Sequence, residues 1–434
     1  MDTDSTTETF LAGDFDIADP SYVANPFPSW AEARGCPVHT TAQRGGAHLV
    51  TGYAAVIEAA AKVPILTSSL GTSVFPTLDD RTDPNRPRSI IGSDPPIHTP
   101  VRRTMLPTFA PAMVKEYEPI TRGLCERYLD DLGDRTHVDA AVEYAQRIPA
   151  RVIGLILGVD ETMTDTFLGW VRDVLENVAS DPVRRVEAFA EMTEYFEAEI
   201  ASRRTNPTDD LTTRLLSVTT ENGMPLEHRD ILGNLVLLLI AGIDTTWSAI
   251  GSSLWHLAQH PEQRRQLQDD PDLWPQAVEE LLRAYAPVTM GRIALEDTDI
   301  AGCPVSAGDR VLLAFPAANR DPAVFGDPDV VDFSREDNRH VAFGSGIHRC
   351  AGSNIARMEL RVALQTWMAR FPDFDLEPGG VTTWAGGQVR GPRSIPVVCT
   401  AELSERPRCV TSSARLRVVR GNRLRVVRRS DPAG

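Results

Sequence analysis

Apolar residues recur at intervals of three and four along most of residues 112–258, the spacing that gives a helix one buried face. The pattern is clearest over 113–132, 151–157, 163–178 and 186–203. Residues 235–240 differ in being apolar on every side, as in a helix that crosses the middle of a large core. The flanking pattern extends this helix over 227–260, where Pro261 stops it. Further helices are predicted over 53–62, over 275–285 with Pro287 beyond, and from Cys350 to Pro372 with Ile355, Met358, Leu360, Leu364, Trp367 and Phe371 on its apolar side. Short strands, separated by Gly and Pro turns, are predicted at 48–51, 292–300, 311–315 and 395–398. The expected fold class is mainly α with a small β region (α+β), built around one long central helix.

Three stretches lack this regularity. Residues 1–35, with Pro20, Pro26 and Pro28, read as an irregular arm leading to a short helix at 29–34. Residues 64–96 are crowded with Pro, Asp, Ser, Thr and Gly, a connection long enough to be either functional or disordered. Pro100 then suits the first turn of the next helix. Beyond Cys399 the composition becomes arginine-rich, and RLRVVR occurs twice, from Arg415 and from Arg423, on either side of Gly421 and Asn422. That tail could pair as a hairpin, hook an anionic surface, or be an unselected extension; charge runs are most often solvated. The expected division is 1–403 for the folded domain and 404–434 for the tail.

Composition narrows the function. With 42% hydrophobic and 24% charged residues in 434, the chain reads as globular with a sizeable core. A net charge of −16 argues against a general nucleic-acid binder, which needs a basic face. The longest apolar run, Leu235 to Gly242, is far short of the roughly 20 residues that span a bilayer, so no membrane helix is expected. The acidic, polar start MDTDSTTETF lacks the features of a signal peptide, and a cytoplasmic protein is expected. Six cysteines lie far apart with no CxxC pair, so neither a disulfide framework nor a zinc site is indicated. Five of them read as small buried hydrophobes.

Cys350 differs, because it ends the glycine-rich stretch FGSGIHRCAG, residues 343–352. Gly344 and Gly346 permit a tight turn, and a helix starting at Ala351 would aim free N–H groups at the sulfur and favour thiolate. Such a thiolate is either a nucleophile or a metal ligand. A nucleophile needs a base, and His348 lies two residues away with no evident third group to orient it.

Taken together, Phe343, Gly344, Gly346, His348, Cys350 and Gly352 resemble the haem-binding loop of the cytochrome P-450 family. Six fixed positions at one in twenty each coincide by chance about once in tens of millions of starts. The resemblance runs over residues 15–399 and includes four further features in the family's order. Glu280 and Arg283 match the ExxR helix, and Arg335 the third member of its buried charged network, which implies a structural brace for the loop. AGIDTT at 241–246 resembles the oxygen-activation motif, implying room for dioxygen at Gly242 and proton delivery by Asp244 and Thr245; alone, these would read as satisfied helix polar groups. His98 and Arg102 match HxxxR, and with Arg292 and His348 they would bind the haem propionates. Residues 65–90, 288–290, the helix near Leu238 and the turn around Trp384 correspond to substrate-contacting regions.

The resemblance implies haem b with Cys350 as axial thiolate, and a monooxygenase that inserts one atom of dioxygen into a small-to-medium hydrophobic organic substrate. No flavin or iron-sulfur segment follows, so electrons are expected from NAD(P)H through a separate reductase and ferredoxin. Arg103, Arg349, Arg357 and Arg361 would offer that ferredoxin a basic patch; as ordinary residues they are solvated helix arginines. The rivals are a peroxygenase or a coupling or cyclising enzyme of the same fold, and a non-enzymatic haem-binding module. Trp247, directly after AGIDTT, is bulkier than the family pattern suggests and is expected to pack away from the haem.

Overall fold

The all-round apolar stretch lies, as its pattern requires, in a 32-residue central helix, His228–Gln259. Ile231, Leu235, Leu239, Ile243 and Trp247 follow one another at four-residue spacing and are all buried. The helix is long and apolar enough to cross a membrane, with a mean hydropathy of 1.6 over its best window, but 61% of that window is buried inside the protein. Its apolar faces are met by Arg147–Leu157, Thr164–Leu175, Pro182–Thr205 and Ser353–Arg370. Pro261 opens the next helix and drives His260 out of helical backbone (φ −127°, ψ 72°). Near the other end, residues 86–93 cross the central helix: Arg88 is paired with Asp230, and the Ile90 N–H donates to Asn234 Oδ1 at 3.0 Å. Gly233 makes that crossing possible, since a Cβ there would lie 2.5 Å from the Arg88 nitrogen.

The computed structural model describes residues 15–76, 86–176 and 180–400. The chain divides into Met1–Ala401 and a second unit, Glu402–Gly434. The arginine-rich tail with its proposed hairpin, residues 1–14 of the N-terminal arm, part of the 64–96 loop and the predicted helical end at 178 lie outside the described residues. The structure is 54% helical, in keeping with the α-dominated reading.

The β region is larger than the sequence pattern indicates. A five-stranded sheet has the order Val38–Thr41, Ala47–Val50, Arg310–Ala314, Thr289–Ala294, Leu66–Thr67. Only Ala47–Val50 and Arg310–Ala314 run parallel. The sheet has its own core of Val50, Val56, Leu66, Val311, Leu313 and Phe315. A second, three-stranded sheet joins His137–Asp139, Pro396–Thr400 and Asp373–Leu376. The predicted strand 292–300 is two strands, Thr289–Ala294 and Thr298–Ile300, because the second turns away to pair with Cys303–Val305.

Candidate functional site

The cysteine loop closes on its own backbone. The Cys350 N–H donates to the Phe343 carbonyl at 2.8 Å, and the Gly344 N–H to Val341 at 2.8 Å. Gly344 and Gly346 have φ of 70° and 68°, and a Cβ on Gly346 would lie 2.8 Å from the Ala60 carbonyl oxygen. Both conditions exclude larger residues. The helix after the loop begins at Ser353, with Gly352 as its cap, rather than at Ala351. The sulfur therefore receives one helix N–H, that of Gly352; the surrounding protein atoms push the thiol up, against that N–H and the charges of Arg102, Arg349 and Arg357, while the cysteine itself is exposed. The expected helix start at Ala351 is thus corrected to Ser353.

Two charged networks brace this loop. Glu280 accepts both Arg283 Nε and Nη2, at 2.8 and 2.7 Å, and Arg335 Nε at 3.2 Å. Asn338 Nδ2 and the Asp332 N–H complete its shell at 3.0 and 2.9 Å. Arg283 spends its other donors on the carbonyls of Asn319, Pro328 and Val330. The three residues read as one network are one. The adjacent Glu279 carries a second network that sequence reasoning missed: it accepts Arg357 at 2.6 and 2.8 Å and His340 at 3.0 Å. Burial would raise the Glu279 carboxyl, but the His340 and Arg357 hydrogen bonds prevail and bring it down to about 2. Arg357 also lies 4.4 Å over the Phe343 ring, fixing the residue whose carbonyl holds Cys350.

A third cluster has the opposite character. His98, at the start of the helix His98–Met105, is buried, and neither ring nitrogen has a hydrogen-bond partner among the described residues. Its ring lies 4.6 Å from that of His348. Arg292, buried on the strand Thr289–Ala294, has an unpartnered Nε and gives Nη1 to the Gly291 carbonyl at 2.7 Å. Arg102 bonds to the Arg349 carbonyl. Burial pulls Arg292 to about 10; burial, then Arg292 and His98, pull His348 to about 3. The carboxylate nearest them is Asp94, 3.9 Å from His348 and already bonded to Thr67 and Ser68. Buried donors without acceptors are rare. The cluster fits a ligand that brings carboxylates, as the two propionates of haem b do.

On the central helix, Leu237, Leu238, Ile240, Ala241, Gly242 and Thr245 are at least partly exposed, in contrast to the buried Leu235, Leu239, Ile243 and Asp244. Thr245 Oγ1 donates to the Ala241 carbonyl at 2.8 Å. Asp244 is on another side of the helix, fully buried, with Arg393 Nη2 2.7 Å away. Burial raises its carboxyl to about 6, against the pull of Arg393 and Arg172 and with a further push from Glu176. The acid and alcohol are thus neighbours in sequence that meet different surroundings. Gly242 has another reason than room for dioxygen: a Cβ there would lie 2.9 Å from Ile153 Cγ1, so glycine lets the central helix approach Arg147–Leu157. Trp247 is buried, 4.2 Å from the Arg393 guanidinium.

Trp384 packs on Trp255 at 5.3 Å and under Arg390 at 4.0 Å and stays half-buried. In the proposed basic patch, Arg357 pairs with Glu279, Arg361 with Glu118 at 2.7 Å, and Arg103 with Glu221. Only the exposed Arg349 keeps its charge free of such an ion pair among the described residues.

Comparison with known proteins accords with this geometry. The family profile described as cytochrome P-450 matches residues 159–381. Cytochrome P-450 107B1 of Saccharopolyspora erythraea is 35% identical over 312 residues, 71% of this chain and 76% of the relative. The vitamin D(3) 25-hydroxylase of Pseudonocardia autotrophica is 35% identical over 372 residues, 84% of this chain and 91% of the relative. Among solved structures, the bacillaene polyketide synthase cytochrome P-450 PksS of Bacillus subtilis 168 superposes with a TM-score of 0.81 at 28% identity, covering 89% of this chain and 100% of its own. A glycine-built cysteine loop, its bracing network and a set of buried donors awaiting carboxylates are the parts such proteins need, and the chain belongs to the cytochrome P-450 family of haem-thiolate monooxygenases.

Proposed function

We propose that Cys350 is the axial thiolate of haem b and that the enzyme hydroxylates a small-to-medium hydrophobic organic substrate, drawing electrons from NAD(P)H through a separate ferredoxin and reductase in the cytoplasm. The observation that carries the proposal is the surplus of buried, unpartnered nitrogens on His98 and Arg292, next to His348 and the Cys350 loop. Haem bound there supplies dioxygen activation and oxygen insertion, and a thiolate ligand favours O–O cleavage.

The chain's own residues supply the rest. Arg102, Arg292, His98 and His348 orient the cofactor through its carboxylates. Thr245 holds a hydroxyl proton on the open face of the central helix, and Asp244, with a carboxyl near neutrality, is the source that replenishes it. Leu237, Leu238, Val288 and Met290 are half-buried apolar residues suited to a hydrophobic ligand, in keeping with a relative named as a vitamin D(3) 25-hydroxylase. Arg349 is the cation best placed for an acidic ferredoxin, since Arg103, Arg357 and Arg361 are paired.

The reduced protein with carbon monoxide is expected to show the red-shifted thiolate-haem band, and Cys350→Ala to lose it. A band that survives the substitution overturns the assignment of Cys350. Substrates are identified by haem spin-state change on binding, followed by turnover with ferredoxin compared against peroxide.

A further inference from the structure

The cluster around His348 draws His98 from its helix, Arg292 from its strand and His348 from the cysteine loop. A fourth segment reaches it, from the 65–90 stretch that the family resemblance assigns to substrate contacts. The edge strand Leu66–Thr67 pairs antiparallel with Thr289–Ala294, Thr67 opposite Ile293. One residue further along that register, Ser68 comes level with Arg292. Ser68 is fully buried, and its backbone is engaged on both sides: its N–H donates to Asp94 Oδ1 at 3.1 Å, and its carbonyl accepts the Gly71 N–H at 3.2 Å. Its hydroxyl lies 3.1 Å from His348 Nε2, the only hydrogen bond that hydroxyl makes among the described residues.

We infer that Ser68 is a positioning residue of the cofactor seat: it holds Nε2 of His348, so that Nδ1 carries the proton offered to a carboxylate of the cofactor. The inference rests on the reading of His348 as a residue that binds haem b. A hydroxyl facing an imidazole nitrogen can donate or accept, and the surrounding network decides which. If a neutral ring donated from Nε2, the Ser68 hydroxyl proton would be left buried without an acceptor, a cost that the reverse arrangement avoids. With Ser68 donating, the neutral ring is the Nδ1–H tautomer, and a charged ring carries a proton there as well. In both forms Nδ1, which has no hydrogen bond among the described residues, presents a donor.

Asp94 sets the frame for this contact. Its carboxylate accepts from the Thr67 hydroxyl and the Ser68 N–H, and its carbonyl accepts the N–H groups of Ile97 and His98, each at 3.1 Å. One residue thus fixes the edge strand and the start of the helix His98–Met105 together. Its Oδ1 lies 3.9 Å from His348 Nε2, too far for a hydrogen bond, so Ser68 makes the contact that Asp94 does not. Beyond Ser68 the chain crosses the strand of Arg292, where the Gly291 N–H donates to the Thr72 carbonyl at 2.8 Å. A displacement of this loop therefore reaches His348 through one hydrogen bond.

The test uses the reduced, haem-loaded enzyme with carbon monoxide bound and its histidines labelled with the heavy nitrogen isotope. The ring-nitrogen resonances that His348→Gln removes belong to His348. They are expected to show a protonated Nδ1 and a hydrogen-bonded Nε2. Ser68→Ala is expected to shift the Nε2 resonance and to release haem about 2- to 10-fold faster, the worth of one ordinary hydrogen bond. Ser68→Thr, which keeps the hydroxyl, should return both towards the parent values. A bare Nδ1 in the parent enzyme overturns the inference, so the matter is decided even where Ser68→Ala folds poorly. Parent resonances and parent haem release in Ser68→Ala, with faster release in His348→Gln, overturn the role of Ser68 alone. Unchanged release in His348→Gln overturns the cofactor reading beneath it.

Discussion

Two buried charged clusters flank the cysteine loop, and they are built on opposite rules. Around Glu280, every strong donor of Arg283 has an acceptor: two carboxylate oxygens and three backbone carbonyls. Around His348, buried His98 and Arg292 leave nitrogens without partners. A satisfied network is finished by folding and serves as structure. An unsatisfied one carries a standing desolvation cost that only a ligand removes. The difference separates the brace from the site without reference to any motif.

That contrast can be broken most forcefully at Glu280. Glu280→Ala leaves Arg283 and Arg335 buried without their carboxylate, and a loss of about 3–5 kcal/mol in unfolding free energy is expected by denaturant titration, with or without haem. Equal stability of the variant and parent would mean that the network is not the brace described. In the open cluster the sign reverses between states. Arg292→Met is expected to leave the haem-free protein as stable or more so, while weakening haem retention by about 1.5–3 kcal/mol, the worth of hydrogen bonds to charged groups. A haem dissociation rate unchanged from the parent would remove Arg292 from the site.

The smallest effect concerns pH. His348, at about 3 in the folded chain, lies below its ordinary value of 6.5, so below 6.5 the unfolded chain binds the extra proton. Stability of the haem-free protein is then expected to fall as pH drops from 6.5 towards 3, by up to about 1.4 kcal/mol per unit. His348→Gln should flatten this slope, and so should haem, whose propionates favour the charged imidazole. Denaturant midpoints at pH 5 and 7 measure both, and an equal slope in all three proteins would contradict the assignment.

Much of this architecture is legible along the chain. The central helix declares itself through its all-round apolar stretch, the helix Trp274–Ala284 through its amphipathic spacing, and the cysteine loop through glycines that only a positive φ requires. The Glu280 and Arg283 pair is local, three residues apart, and so could be read directly. Other parts leave no local trace. The strand Gly391–Ser394, sequence GPRS, has none of the residues that favour strands and exists because it is pressed onto the central helix. Arg357 reads as a solvated helix arginine until the fold brings it to Glu279 and Phe343. Gly242 reads as open space until Ile153 is seen against it.

The sequence by itself determined the helical class, the cysteine loop, the identity of the Glu280 network and the set of donors that would meet a haem, because each depends on residues close in sequence or on residue types that carry one chemistry. Only the tertiary structure decided that Asp244 turns to Arg393 while Thr245 faces the open side, and that Arg357 braces the cysteine loop through Glu279 and Phe343. Those outcomes depend on burial and on charges contributed by distant segments, and an electrostatic environment is a property of the packed chain and not of any stretch of it.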